Sequence, residues 1–238
     1  MRSVITPPFF EIGPKSYLYG DDVLNLALAA DQASEKYSVD IIFTTPVVDI
    51  RRVAEATKHI HVFAPHMDAI YPGRGLADIL PESLVAAGAE GVMLNHTEKP
   101  LSHDLLQETI RRAREVGLST IVCADSLADA RRIAALKPDI IVAEPSELIG
   151  TGISVGEEYV SAATAAVKDV DPEILVLTAA GISNGKDVYD TIIAGADATG
   201  SSSGVAKAQD RAAMVDEMIK AVRLAWDERH KEANQHGI

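Results

Sequence analysis

Reactive side chains in this sequence recur in one kind of place, directly after short apolar runs. Gly13-Pro14-Lys15 follows the first run, Pro65-His66-Met67-Asp68 the third and Asn95-His96-Thr97-Glu98 the fourth. Glu144-Pro145-Ser146-Glu147 and then Leu148 to Gly152 follow the sixth, Thr178 to Ser183 the seventh, and Ser201 to Gly204 the eighth. Lys15 is a fixed cation and His96 a proton donor or acceptor. Glu144 is a carboxylate whose partial burial raises its pKa toward the range of a general base. Gly150-Thr151-Gly152, Ala180-Gly181 and Ser202-Ser203-Gly204 are small, so backbone N–H groups can approach an anion closely. The last group leads into a helix, whose N-terminus favours negative charge. A base, an electrophile, a cation and a phosphate nest describe proton abstraction beside a carbonyl in a phosphorylated substrate. Taken singly, each feature is ordinary: a solvated lysine, a capping glutamate, a short glycine loop. Their common position at one end of successive runs carries the inference. His66 reads as a structural histidine rather than a catalytic one.

Eight elements must position these groups. The apolar runs are Phe9–Ile12, Asp40–Phe43, His61–Ala64, Gly91–Leu94, Ser119–Cys123, Asp139–Ala143, Ile174–Leu177 and Asp197–Gly200. Consecutive apolar positions suit strands buried on both faces of a parallel sheet. Helix-period stretches alternate with them at Asp21–Lys36, Ser102–Val116, Ser126–Leu136, Gly156–Lys168, Lys186–Ala194 and Lys207–Arg229. Ser102 is placed to cap its helix and Gly117 to end it. Repeated strand–helix units with no second core predict an α/β fold, a closed (β/α)8 barrel in preference to an open doubly wound sheet. Catalysis in such a barrel sits where the strands end, and the loops after strands seven and eight hold phosphate. The chain reads as one domain over 1–238, with a polar tail from about residue 227 that frays; His230 and His236 in it read as solvated.

Lys plus Arg number 22 against 35 Asp plus Glu, a formal charge of −13 over 238 residues. That balance argues against nucleic acid or a membrane surface as partner. No apolar run approaches the roughly 18 residues needed to span a bilayer, and the first eight residues do not read as a signal peptide. A single cysteine, Cys123, leaves no internal disulfide framework and fits a reducing cytoplasm. Neither a metal site nor a cofactor is expected; His59 and His61 read as surface and strand-entry residues.

The segments Asn95-His96-Thr97-Glu98, Ala143-Glu144-Pro145, Glu147-Leu148-Ile149-Gly150-Thr151-Gly152 and Ala180-Gly181-Ile182-Ser183 resemble triosephosphate isomerase, in its short, archaeal-type branch. The resemblance runs in order from Lys15 to about Asp210. It implies a TIM barrel and an aldose–ketose isomerase working on a small sugar phosphate through an enediol; triosephosphate isomerase is itself the reference case for this chemistry. By the resemblance, Glu144 is the base, His96 the electrophile and Lys15 the active-site lysine. Glu98 is the acidic residue after the histidine. Ile149 to Gly152 form the closing loop, and Gly181, Ser202 and Ser203 contact phosphate. It also implies a homodimer or homotetramer, since the loop after the third strand inserts into a neighbouring subunit in that family.

Departures from the pattern cluster at the substrate wall. Gly13-Pro14-Lys15 stands where the family has Asn-x-Lys, so Gly13 lacks the amide that lines the site, and Pro14 lacks a backbone donor. Ala179-Ala180-Gly181 replaces Gly-Ala-Gly, Pro65 replaces a common Gln, and Arg74 is new, placed to pair with an acidic neighbour or to meet a substrate anion. A lost side chain opens space, so the expected substrate is a longer sugar phosphate, a tetrose or tetrulose phosphate. The alternatives are authentic triosephosphate isomerase and a non-catalytic phosphometabolite-binding relative. A Schiff-base aldolase is disfavoured because the context of Lys15 matches the isomerase.

Overall fold

Strands buried at nearly every position have no face for water, and here they are covered on both sides by rolling into a closed barrel. A computed structural model describes residues 5–149, 151, 156–179 and 181–236. Its strands are β1 (Phe9–Ile12), β2 (Asp40–Thr44), β3 (Ile60–Ala64), β4 (Gly91–Leu94), β5 (Ser119–Ala124), β6 (Ile140–Ala143), β7 (Leu175–Thr178) and β8 (Ala198–Ser201). All neighbours pair in parallel and β8 closes onto β1, which sets Glu11 opposite both Ile42 and Gly200. The helices are α1 (Asp21–Tyr37), α2 (Ile50–Ala56), α3 (Pro81–Ala86), α4 (His103–Val116), α5 (Leu127–Ala134), α6 (Glu157–Lys168), α7 (Gly185–Ile193), α8 (Ser203–Ala206) and α9 (Arg211–His236).

Side chains alternate across each strand, and that alternation divides the core in two. Phe9, Ile42, Phe63, Ile121, Val142 and Leu177 fill the barrel interior. Their neighbours, such as Phe10, Ile41, Phe43 and Ile141, pack outward against the helices. Phe9 and Phe10 are fully buried, and each contributes roughly 1.5–3 kcal/mol of hydrophobic stabilisation. Helix ends follow local chemistry. Ser102 Oγ accepts from Leu105 N–H at the start of α4, and Gly117 ends that helix with φ 86°. Ser126 and Asn184 cap α5 and α7 in the same way.

Two features depart from the sequence reading. The short helices α2 and α3 were not anticipated; Pro81 opens α3 at a position where its missing N–H is harmless. The helix expected from Lys207 begins instead at Arg211, and a separate short helix, α8, ends at Ala206 just before Lys207. Asp210 starts the second helix by accepting from Ala213 N–H at 3.0 Å, and the Arg211 side chain donates back to the Ala206 carbonyl at 3.0 Å. Helix α9 then continues to His236 through the segment expected to fray, packing along α1 and α7. No helix among the described residues is long and apolar enough to cross a membrane.

Candidate active site

At the C-terminal ends of the strands the barrel opens into a cavity of about 1030 Å³. Strand alternation aims the site into it. Glu11 lies two residues after inward Phe9, Thr44 two after Ile42, Cys123 two after Ile121 and Glu144 two after Val142. Lys15, His96, Glu144, Gly13, Ile149, Gly181, Ser202 and Ser203 all line this one cavity. Gly150 and Gly152 lie outside the described residues, as does Ala180.

The loop after β4 is held by its own backbone. Asn95, in the left-handed region at φ 58°, donates from Nδ2 to the Cys123 carbonyl and accepts at Oδ1 from Leu101 N–H, both at 3.0 Å. That turn lets the backbone N–H of Glu98 donate to Nδ1 of His96 at 3.1 Å. An imidazole accepting at Nδ1 carries its proton, when neutral, on Nε2. Burial, with the Lys15 charge adding to it, pushes the His96 pKa below its usual 6.5. The ring is therefore a neutral Nε2–H donor at neutral pH. Lys15 is fixed beside it by an ion pair from Nζ to Glu98 Oε1 at 3.2 Å.

Glu144 enters from the end of β6, its N–H donating to the Ala124 carbonyl at 3.0 Å. Burial raises its carboxyl above the usual 4.5; Lys15 opposes that rise, while Asp125 and Glu98 add to it. A carboxylate poorly solvated but not neutralised is a stronger proton acceptor than one in water. Beneath it Cys123 is buried, its thiol pushed well up by burial and then by Glu144 and Glu11. A neutral thiol there packs as a small apolar group.

The loops after β7 and β8 form the opposite wall. Gly181 takes φ 69°, Ser202 Oγ donates to the Gly13 carbonyl at 2.6 Å, and Ser201 Oγ donates to the Ile182 carbonyl at 2.8 Å. Ile149 and Thr151 reach the rim, with Thr151 Oγ1 donating to the Leu148 carbonyl at 2.8 Å.

Several lining residues escaped the sequence reading, Lys207, Thr44 and Glu11 among them. Lys207, assigned there to a long helix, ends α8 and lies at the cavity with its Nζ 4.9 Å from the Tyr17 ring centroid. Thr44 was left just beyond its strand. Glu11 was counted within an apolar run, although a carboxylate in phase with inward Phe9 is a signal that could have marked it. Burial foremost, with the Glu144 charge adding to it, raises the Glu11 carboxyl to about 7, against the smaller opposing pulls of Thr44 and Lys15. His66 also lines the cavity, buried, with Nε2 3.3 Å from Asp68 Oδ1. Arg74 is exposed, away from the cavity, and makes no ion pair among the described residues.

Comparison with known proteins agrees with the geometry. The family model described as "Triosephosphate isomerase" matches residues 15–222. The triosephosphate isomerase of Saccharolobus solfataricus is 36% identical over 92% of this chain and 98% of its own length. That of Methanocaldococcus jannaschii is 36% identical over 85% of this chain and 94% of its own. That of Methanosarcina mazei is 33% identical over 90% and 99%.

Proposed function

This chain belongs to the triosephosphate isomerase family, and from that premise we propose that it interconverts the aldose and ketose forms of a three-carbon sugar phosphate. The observation that carries the proposal is the hydrogen bond from Glu98 N–H to His96 Nδ1. It commits a neutral imidazole to presenting Nε2–H in the same cavity as a destabilised carboxylate, Glu144. Glu144 takes the proton from the carbon beside the carbonyl. The electron pair moves onto the carbonyl oxygen, where His96 Nε2–H and Lys15 Nζ stabilise the developing charge. His96 Nε2–H gives its proton to that oxygen and takes back the proton of the adjacent hydroxyl, so the new carbonyl forms there as Glu144 returns its proton to the former carbonyl carbon. The phosphate is held against the loops carrying Gly181, Ser202 and Ser203, and Lys207 adds a second cation on that side.

The longer sugar expected from the sequence rested on Gly13 leaving room and losing a donor. That room is occupied: a Cβ at Gly13 would lie 3.0 Å from Glu11 Oε1. The wall is therefore not enlarged there, and the relatives carry the name of the three-carbon isomerase. Dihydroxyacetone phosphate and glyceraldehyde 3-phosphate are the substrates this reading assigns. Cytoplasmic work suits the lone, buried, free Cys123. A homodimer or homotetramer suits the loop after β3, where Leu76 is fully exposed and Tyr71 half-exposed.

The test is a coupled assay of both triose phosphates beside tetrose and tetrulose phosphates. Higher kcat/KM on the three-carbon pair supports the assignment. A clear preference for a four-carbon phosphate removes it. Glyceraldehyde without its phosphate is expected to react far more slowly, and equal reaction would remove the phosphate site.

A further inference from the structure

Glu11 is an ionisable group on the barrel floor that the mechanism above does not use. It sits one layer above Phe9 on the inner face of β1 and is only 9% exposed. Two glycines shape its niche. A Cβ at Gly13 would meet Oε1 at 3.0 Å, and a Cβ at Gly200 would lie 2.9 Å from the Glu11 carbonyl and 3.2 Å from Oε2. A side chain at either position would displace the carboxyl. Thr44 lies near enough to pull the Glu11 pKa down, yet neither the buried Oε1 nor Thr44 Oγ1 has a well-formed hydrogen bond. Glu11 makes no ion pair among the described residues, since Lys15 is paired with Glu98. A buried carboxyl oxygen without a well-formed hydrogen bond is costly unless something reaches it, and Glu11 lines the cavity that also holds Glu144 and Lys15.

The groups facing it settle which of the two carboxyls keeps a proton. Lys15 follows on its own strand, Thr44 comes from β2, Cys123 from β5 and Glu144 from the end of β6. The thiol is neutral and Thr44 does not titrate, so the balance lies between Lys15 and Glu144. Glu11 is the more deeply buried of the two, 9% exposed, whereas Glu144 is only partly buried, and deeper burial disfavours the charged form more. Glu144 thus ionises first, and Glu11 retains its proton beside it. A neutral carboxylic acid is a hydrogen-bond donor.

We propose that the protonated Glu11 carboxyl donates to an oxygen of the bound sugar phosphate and holds the reacting carbons against Glu144. The proposal rests on the isomerase reading for its substrate. It makes Glu11 a contact residue in which donor and acceptor are matched: the substrate oxygen gains charge in the enediolate, and the donor bond strengthens with it. Loss of the Glu11 proton removes that donor and sets a second negative charge beside Glu144 and the substrate. The family match begins at Lys15, so neither Glu11 nor Gly13 lies within it.

The experiment uses Glu11→Gln, which keeps a donor that does not titrate, and Glu11→Leu, which keeps bulk without one. Wild-type kcat/KM is expected to fall as pH rises through about 7, and the Gln variant to lose that break. Titration of the substrate phosphate, near about pH 6, is common to both proteins and drops out of the comparison. At pH 6 the Leu variant is expected to lose about tenfold or more in kcat/KM, and the Gln variant to recover most of that loss. Should the Leu variant not fold, the Gln pH profile alone decides. Persistence of the break in Gln, or wild-type kcat/KM in Leu, overturns the proposal. Calorimetric binding of dihydroxyacetone phosphate to Glu144→Gln, with and without Glu11→Leu, separates it from the isomerase reading. Weaker binding in the double variant supports Glu11 even where wild-type turnover is absent, and equal binding removes it. Wild-type failure to isomerise either triose phosphate removes only the isomerase reading.

Discussion

The hydroxyl of Ser202 donates to the carbonyl oxygen of Gly13 at 2.6 Å, across 189 positions of sequence. This bond ties the loop after β8 to the loop after β1 at the seam where the barrel closes. It places the phosphate wall in fixed relation to Lys15 and to the Glu11 niche. Ser202→Ala is expected to raise KM for the phosphorylated substrate about two- to tenfold with little change in kcat, from the roughly 0.5–1.5 kcal/mol of one net hydrogen bond. Steady-state kinetics on both triose phosphates checks the split; a fall confined to kcat would contradict a role at the phosphate end.

Glu144→Gln is expected to remain folded and to lose at least about 10²-fold in turnover, the lower scale of general-base catalysis. The wild-type carboxyl must be ionised to act and its pKa is raised above 4.5. Activity should therefore fall as pH drops through that raised value, and the residual activity of the Gln variant should lack this acid limb. Near-wild-type turnover in folded Glu144→Gln protein would remove the residue from the role.

His96 is expected to hold one tautomer through the neutral range. Its Nδ1 accepts from Glu98 N–H at 3.1 Å and its pKa lies below 6.5. Nitrogen-15 NMR of the imidazole should find the proton on Nε2 and no protonation between pH 6.5 and 8. A charged ring at pH 7 would exclude the neutral-electrophile role. His96→Ala should lower kcat by about 10²-fold or more.

Glu11 ties stability to pH with a definite sign. Its carboxyl moves from 4.5 to about 7 on burial, so the folded state binds its proton more tightly than the unfolded chain. The associated stability is complete below about 4.5, declines as pH rises, and is lost once pH passes about 7. The total is on the order of 3 kcal/mol. Glu11→Gln should therefore gain stability over the wild type progressively between these pH values and hold a constant advantage above them. Thermal or denaturant unfolding across pH 4.5–8 measures this; a constant difference at all pH values would mean that Glu11 is not buried as described.

Leu76 is fully exposed in the loop after β3. If that loop meets another subunit, Leu76→Asp should shift the sedimenting species toward the monomer while leaving the far-ultraviolet circular dichroism unchanged. An unaltered assembly would place the interface elsewhere.

Most strands were legible in the sequence as short apolar runs, which a parallel barrel demands; β8, Ala-Thr-Gly-Ser, was placed by its spacing from the others. Ser102 marked the start of α4, where its Oγ accepts from Leu105 N–H; the caps at Ser126 and Asn184 emerged only from the structure. Lys15, His96 and Glu144 were legible because each directly follows a strand, and the barrel gathers those positions at one end. Local pattern did not reveal the break before α9, where Asp210 and Arg211 make specific bonds that outweigh continuous helical periodicity. Nor did it reveal Glu11. Read along the chain, Gly13 is a missing side chain at the substrate wall; in three dimensions it makes room for a carboxyl two residues earlier, on β1. The sequence by itself determined the strand–helix order and the positions of Lys15, His96 and Glu144 just past strand ends, because strand burial and strand ends are local properties. Only the tertiary structure decided what fills the space beside Gly13 and which carboxyl keeps its proton. Desolvation and the approach of Gly200, Thr44 and Glu144 exist only once the first strand is closed between the second and the eighth.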